Sequence, residues 1–240
     1  SSKIMQENYF TVQPSKINKN NFSLSIKESN HFLKSLRGKI DDEIWLLNGL
    51  GTAYHACVKS IDDNYVTGTI INSFSNYGES NFNINLIIGL IKGHRMDMVF
   101  EKATELGVKS IQPLIFDHCI KNKLNLKRAE RIIISAAKQS GRSFFPKIHD
   151  PTTLETWLLD HHKGFSFACH INGKKSISNL VANNEIEINI IIGPEGDFSK
   201  QELNQFKEAK IELVNLSSRR LRSESAAIVS IANVIQIMEK

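Results

Sequence analysis

The sequence predicts an α/β protein in two parts. A small β-rich domain covers residues 1–77, and a parallel sheet with helices on both faces covers residues 78–240. Three observations carry this. Short runs rich in β-branched and aromatic residues, separated by turn residues, fill the first third of the chain. From residue 83 onward strand-like and helix-like segments alternate, the pattern of a parallel sheet with crossover helices. Between the two lies Asn76-Tyr77-Gly78-Glu79-Ser80-Asn81, a polar, Gly-containing linker composition.

In the first part, strands are expected at residues 43–47, 53–61 and 65–71. Asn48-Gly49, Leu50-Gly51 and Asp62-Asp63-Asn64 mark the turns between them. Such short, closely spaced strands make a small barrel or sandwich. One helix is expected over residues 27–36, with Phe32, Leu33 and Leu36 on its apolar side.

The second part opens with a strand at 83–91. A helix follows over 94–106, where Met96, Val99, Phe100, Ala103 and Leu106 recur at helical spacing and Gly107 ends the run. Next come a strand at 109–116, a helix at 126–140 closed by Gly141, a short helix at 154–159 and a strand at 165–170. Residues 187–192 end in Ile190-Ile191-Ile192, as expected of a centre strand covered on both faces. Ser199, with Glu202 three residues on, predicts a capped helix to Lys210. A strand at 211–216 and a helix capped by Ser223 and reaching Met238 finish the chain, with Ile228, Ile231, Val234 and Ile235 expected inside.

Composition narrows the function classes. Thirty Lys and Arg against 25 Asp and Glu give a formal charge of +5, a balance that favours polyanionic partners. No apolar run has the length of a membrane span, and residues 1–10 lack the apolar stretch of a signal peptide. Ser1-Ser2 reads as a trimmed start. Cys57, Cys119 and Cys169 form no CxxC pair, so a disulfide framework or zinc site is not expected and a reducing cytoplasm is. The eight histidines are scattered, and His161-His162 lacks metal-ligand spacing, so no metal is expected.

In open parallel sheets ligands sit beyond the carboxyl ends of the strands. Two loops there stand out. Gly193-Pro194-Glu195-Gly196 is a stiff turn, neither a Walker loop nor a dinucleotide fingerprint. It reads equally as an ordinary strand-to-helix connection. Ser217-Ser218-Arg219-Arg220-Leu221-Arg222 crowds three arginines before a helix, a pattern shared by solvated charge and anion contacts. Lys92-Gly93-His94-Arg95 and Lys138-Gln139-Ser140-Gly141-Arg142 place further cations at element ends, where phosphate contacts and solvated helix ends look alike.

Taken in order, five segments resemble one family. They are Lys92 to Met96, Glu101-Lys102-Ala103-Thr104-Glu105-Leu106-Gly107-Val108, Gln139-Ser140-Gly141-Arg142, Ile192 to Gly196, and Leu221-Arg222-Ser223-Glu224-Ser225-Ala226. The chain is similar to the RsmE family, the 16S ribosomal RNA (uracil-N3) methyltransferases of the SPOUT superfamily. The resemblance implies a C-terminal SPOUT domain with a trefoil knot, preceded by a PUA-like RNA-binding domain. It implies bound S-adenosylmethionine, held by Cys169 and His170, by Gly193, Pro194, Glu195 and Gly196, and by Leu216, Ser217 and Leu221 with Ser225 and Ala226. It implies a homodimer through the C-terminal domain and a uridine of 16S rRNA, in the assembled small subunit, as substrate.

Uridine N3 carries a proton between two carbonyls, and losing it spreads negative charge onto their oxygens. A guanidinium beside them favours that loss. Arg222 is expected in this role, with Glu224 or Ser225 orienting it or the base. Arg37, Lys92, Arg95, Gln139 and Arg142 are expected to contact RNA. The chain departs from the family where Ser217 replaces a frequent glycine, where Lys138 replaces a frequent Glu, and in Phe116-Asp117-His118-Cys119. The competing readings are a related methyltransferase acting on tRNA or on a ribose 2′-hydroxyl, and an RNA-binding assembly factor without activity.

Overall fold

The computed structural model describes residues 8–160, 163–181 and 186–239. Ser1-Ser2 and His161-His162 lie outside these residues. The chain divides into two compact units, one of residues 1–79 with 137–145, the other of residues 80–136 with 146–240.

The first unit is a six-stranded sheet in the order β1-β4-β5-β6-β3-β2. Its strands are β1 (Tyr9–Thr11), β2 (Ile17–Asn18), β3 (Asn21–Ser23), β4 (Glu43–Leu47), β5 (Thr52–Asp62) and β6 (Tyr65–Ser75), with a 3-10 turn at Pro14–Lys16. Phe10, Phe22, Phe32, Ile44, Leu46, Val58 and Val66 form its core. The three strands read from the sequence are present; β1, β2 and β3, of two or three residues each, are too short to announce themselves. The helix expected at 27–36 is two pieces, α1 (Ile26–Asn30) and a π-helical turn over His31–Ser35. Its end is set by Gly38, whose N–H bonds the Phe32 carbonyl and whose missing side chain leaves room for the Phe32 ring. Ser25 caps α1 by accepting from the Glu28 N–H.

Residues 137–145 belong to this unit through three anchors. The Ser143 N–H bonds the Tyr77 carbonyl, Lys138 pairs with buried Glu28 at 2.8 Å, and Arg142 forms a two-pronged pair with Glu79. The Arg142 and Glu79 side chains are only 3% and 1% exposed. Arg142 is therefore a structural cation; the expected RNA contact does not hold for it, because its guanidinium is spent inside the fold.

The second unit is an all-parallel sheet in the order β10-β8-β7-β12-β11-β13, with β9 beside β8. Its strands are β7 (Asn83–Gly89), β8 (Ser110–Ile115), β9 (Lys147–Ile148), β10 (Thr152–Thr153), β11 (Phe165–Cys169), β12 (Glu187–Ile192) and β13 (Glu212–Val214). The helices are α2 (His94–Glu105), α3 (Leu126–Gln139, which ends in the first unit), α4 (Leu154–Asp160), α5 (Ile177–Leu180), α6 (Lys200–Glu208) and α7 (Ser223–Met238).

β12 is the centre strand, paired with β7 and β11. Its alternate residues serve two cores. Ile188, Ile190 and Ile192 join Met96, Phe100, Ile231 and Val234 on one face. Ile191 joins Leu114, Trp157, Phe198 and Phe206 on the other. Each such isoleucine contributes roughly 1.5–3 kcal/mol by burial. Register is pinned at the amino ends of the strands, where Asn83 and Asn85 donate to Glu187, Asn85 also donates to Asn189, and the Ser110 hydroxyl donates to Asn85.

The capping box of Ser199 and Glu202 forms as read. Ser223 does not cap α7. Arg222 occupies the cap position, and Ser223, the first helical residue, turns its hydroxyl elsewhere. Ile231 and Val234 are buried in α7, while Ile228 and Ile235 are half-buried. α7 packs on β7 and β12 and also against α5, in the connection between β11 and β12.

Arg142→Ala leaves Glu79 buried without its counter-charge and should cost about 3–5 kcal/mol of stability. Urea denaturation of the variant beside the parent measures this.

Candidate active site

Three loops leave the carboxyl ends of β11, β12 and β13 on one edge of the sheet. Together with the start of α2 they enclose a cavity of about 860 Å³. Its wall includes Cys169, His170 and Ile171, then Ile192 to Glu195 and Asp197, then Asn215 to Ser217 and Arg219 to Ser223 with Ala226, and finally His94 and Arg95. A cavity of this size suits one small-molecule ligand.

Each loop is fixed locally. After β12 the chain turns at Pro194–Asp197, closed by the Asp197 N–H on the Pro194 carbonyl. Asp197 sits at φ +62, a conformation unusual for a non-glycine residue. Its carboxylate steadies the turn by accepting from the Phe198 N–H. His118 clamps the turn from outside, with Nδ1 2.9 Å from the Gly196 carbonyl. A side chain on Gly196 would meet the His118 Cβ at 2.7 Å, so this close approach needs glycine. The departing segment Phe116 to Cys119 thus supports the loop: the Ser199 hydroxyl donates to Asp117, and the Asp117 N–H donates to Glu202.

The third loop is held by its own side chains. Asn215 Oδ1 accepts from the Ser217 N–H, and Ser217 Oγ accepts from the Arg219 N–H. Ser217 needs no positive φ. The frequent glycine of the family is therefore dispensable here, and the hydroxyl adds a turn contact. The Ser223 hydroxyl donates to the Gly193 carbonyl at 2.7 Å and ties the second loop to the third.

The charges are arranged unevenly. Glu195 accepts from Arg95 at 2.6 Å and from the Lys92 N–H at 3.1 Å. Glu224, 9% exposed, lies 3.9 Å from the same guanidinium. Arg95 thus stands between two carboxylates, each with one buried oxygen lacking a hydrogen-bond partner. His170 Nδ1 accepts from the Asn172 N–H, which places the neutral ring's proton on Nε2, 3.5 Å from Asp197. Burial pushes the Cys169 thiol up to about 12, with a hydrogen bond to Ser230 opposing only in part.

Of the residues singled out in the sequence, Cys169, His170, Gly193, Pro194, Glu195, Leu216, Ser217, Leu221, Ala226, Arg222 and Arg95 line the cavity. Gly196, Ser225 and Glu224 stand outside the lining. Glu224 faces Arg95 and not Arg222 as expected. Lys92, Gln139 and Arg37 are exposed elsewhere. Sequence reasoning missed Ile171, Asp197, Asn215 and the wall position of Ser223, while His94, Arg219 and Arg220, read from the sequence as either solvated charge or anion contacts, also line the wall. The Asx and Ser turns around Asn215 and Ser217 are local signals that could have marked the third loop as ordered.

Known proteins share the fold and much of the sequence. A model of the RNA methyltransferase domain matches residues 78–235, and a model of the RNA methyltransferase PUA domain matches residues 16–71. The chain is 30% identical to the ribosomal RNA small subunit methyltransferase E of Rickettsia conorii, over 85% of each chain. It is 30% identical to that of Buchnera aphidicola, over 88% of this chain and 87% of the relative. Among solved structures it is similar to the Neisseria gonorrhoeae ribosomal RNA small subunit methyltransferase E bound to S-adenosyl methionine. The TM-score is 0.88 at 29% identity, covering 97% and 98% of the two chains. The chain belongs to the ribosomal RNA small subunit methyltransferase E family.

Two expectations follow from the geometry. Ser223→Ala removes the tie between the two loops and should cost about 1 kcal/mol of stability and weaken cofactor binding, read by calorimetry. Cys169 stays a neutral thiol in the folded state, whereas the unfolded thiol ionises near 9.0, so between pH 9 and about 12 the unfolded state holds fewer protons and stability falls as pH rises. Peptide mapping after iodoacetamide at pH 8 should find Cys169 protected in the folded protein and modified in urea.

Proposed function

We propose that this protein methylates N3 of a uridine in small-subunit ribosomal RNA, with S-adenosylmethionine as donor. Membership of the family supports the reaction, and the cavity supports the cofactor. That cavity, at the carboxyl ends of β11, β12 and β13, is the observation that carries the reading. Its residues fit the cofactor's chemistry. Ile171, Ile192, Pro194, Leu216, Leu221 and Ala226 offer apolar surface to an adenosine, and Asp197 offers a carboxylate to a ligand with ammonium and sulfonium charges. When bound, the cofactor supplies a methyl group already activated by its sulfonium.

The chain has then to hold, align and exclude water. Cys169, His170, Gly193, Pro194, Glu195, Leu216, Ser217 and Leu221 hold the cofactor, with Ala226 closing the apolar wall. Gly196 acts from behind, by admitting His118. Arg222, exposed at the start of α7 on the cavity wall, stabilises the charge that spreads over the uracil carbonyls as N3 releases its proton to solvent and takes the methyl group from the sulfonium. Glu224 acts on Arg95, fixing it with Glu195 beside the same cavity. Lys92, Arg37 and Gln139 remain candidates for RNA contact by their exposure.

The pairing edge of uracil must be free, so the target uridine is unpaired or flipped when it reacts. The assembled small subunit is the form of RNA in which we place it, and the cytoplasm is the compartment where it assembles. Among the described residues no helix is long and apolar enough to cross a membrane. Homodimerisation through the second unit is supported by α7, which keeps the apolar Ile228 and Val229 half-exposed beyond its core face.

Small subunits lacking N3-methyluridine should gain it when incubated with the protein and the donor, detected by mass spectrometry of nucleosides. Arg222→Ala should lower turnover about 10²–10³-fold while cofactor affinity by calorimetry stays near the parent's. Near-normal turnover would remove Arg222 from the reaction, and ribose or tRNA methylation would replace the substrate.

A further inference from the structure

The third loop brings more positive charge to the cavity than the cofactor can use. Arg95, Arg219, Arg220 and Arg222 line it, against the carboxylates of Glu195 and Asp197. Arg95 is already engaged by Glu195 at 2.6 Å, and Glu224 behind the wall adds to that engagement. Asp197 lies beside His170 and bonds the Phe198 N–H. The structure gives Arg219, Arg220 and Arg222 no ion pair among the described residues, and all three are exposed. S-adenosylmethionine carries an ammonium and a sulfonium against one carboxylate, a net cation. A pocket for that ligand alone gains nothing from three unpaired guanidinium groups, which repel it.

The loop itself is not a loose charged tail. The Asn215 and Ser217 side chains fold its first half into two consecutive turns. The isolated bridge between Lys175 and Val214 and the Asn215 N–H bond to the Lys175 carbonyl brace it from β13. Gly173 permits this brace, because a Cβ there would meet the Val214 carbonyl carbon at 2.5 Å. Arg219 and Arg220 are thus carried on a fixed backbone at the mouth of the cavity, with their charge uncommitted. Guanidinium groups in that state match phosphate oxygens through paired N–H donors.

We infer that Arg219 and Arg220 bind backbone phosphates of the RNA strand next to the nucleotide that enters the cavity, leaving Arg222 for the base. This rests on the methyltransferase reading above. It assigns a second ligand to the cavity mouth and divides the arginine cluster by partner. Arg219 and Arg220 position the strand, and Arg222 faces the reacting ring.

The double variant Arg219→Gln/Arg220→Gln tests it, with Arg219→Lys/Arg220→Lys as the charge-conserving control. Binding of a short fluorescein-labelled oligouridylate is measured against salt, methyl transfer is measured on small subunits lacking N3-methyluridine, and donor binding is measured by calorimetry. Each phosphate neutralised on a single strand adds about 0.7 to the steepness of log affinity against log salt, so the Gln pair should make that slope shallower by about 1.4. The Gln pair should also raise KM for small subunits at least tenfold, with a much smaller change in kcat, and should bind S-adenosylmethionine with the parent's affinity. The Lys pair should recover most of the salt slope. An unchanged slope and KM in the Gln pair, while the parent methylates RNA, would overturn the phosphate contact and leave the function standing. A tenfold loss of donor affinity with RNA binding intact would assign the two arginines to the cofactor's carboxylate instead. A parent that methylates no RNA would bring down both readings together.

Discussion

The second unit depends on one constraint: β12, paired at both edges with β7 and β11, has a core packed on each face, so its carboxyl half must be apolar on both. Ile188, Ile190 and Ile192 feed one core and Ile191 the other, which locks the strand against sliding by a single residue. The cavity wall is hung from the carboxyl ends of β11, β12 and β13 and from the first turns of α2 and α7. Because parallel strands all point one way, β11, β12 and β13 deliver their loops to the same edge, and residues from 169, 193 and 216 meet there although the sequence separates them. The side-chain ladder of Asn85, Glu187 and Asn189 secures the opposite ends.

What the sequence showed was what local physics writes locally. The isoleucine run gave a covered centre strand, the spacing of Ser199 and Glu202 gave a capping box, and alternation of strands and helices gave the parallel sheet. The π-helical turn at His31–Ser35 was hidden because it depends on the Phe32 ring finding space over Gly38. Ser223 misled for a related reason. A serine before an apolar run is a good cap by propensity, but here its hydroxyl has a partner thirty residues away in Gly193, and Arg222 takes the cap position.

The site was legible as three loops and not as a set of contacts. Glycine, proline and charge at strand ends marked where ligands gather, and the family's motif order joined the loops. Which carboxylate meets which guanidinium is a property of tertiary packing. Glu224 or Ser225 was expected to orient Arg222 or the base, and Glu224 instead joins Glu195 around Arg95, more than a hundred residues before it in the chain. Arg142 carried the same surface signature as the cavity arginines, and only its burial against Glu79 distinguishes it. Charge at an element end is thus an ambiguous sign until the counter-charge is known.

The return of residues 137–145 to the first unit has a consequence for how the molecule comes into being. The chain lays down the first unit, begins the second with β7, α2 and β8, and then supplies the missing piece of the first. The first unit is therefore complete only when residues 137–145, which carry Lys138 and Arg142, have been made. Domains elsewhere often complete themselves in order of translation. Here the two are interleaved, and no single cut in the chain would release the first unit whole.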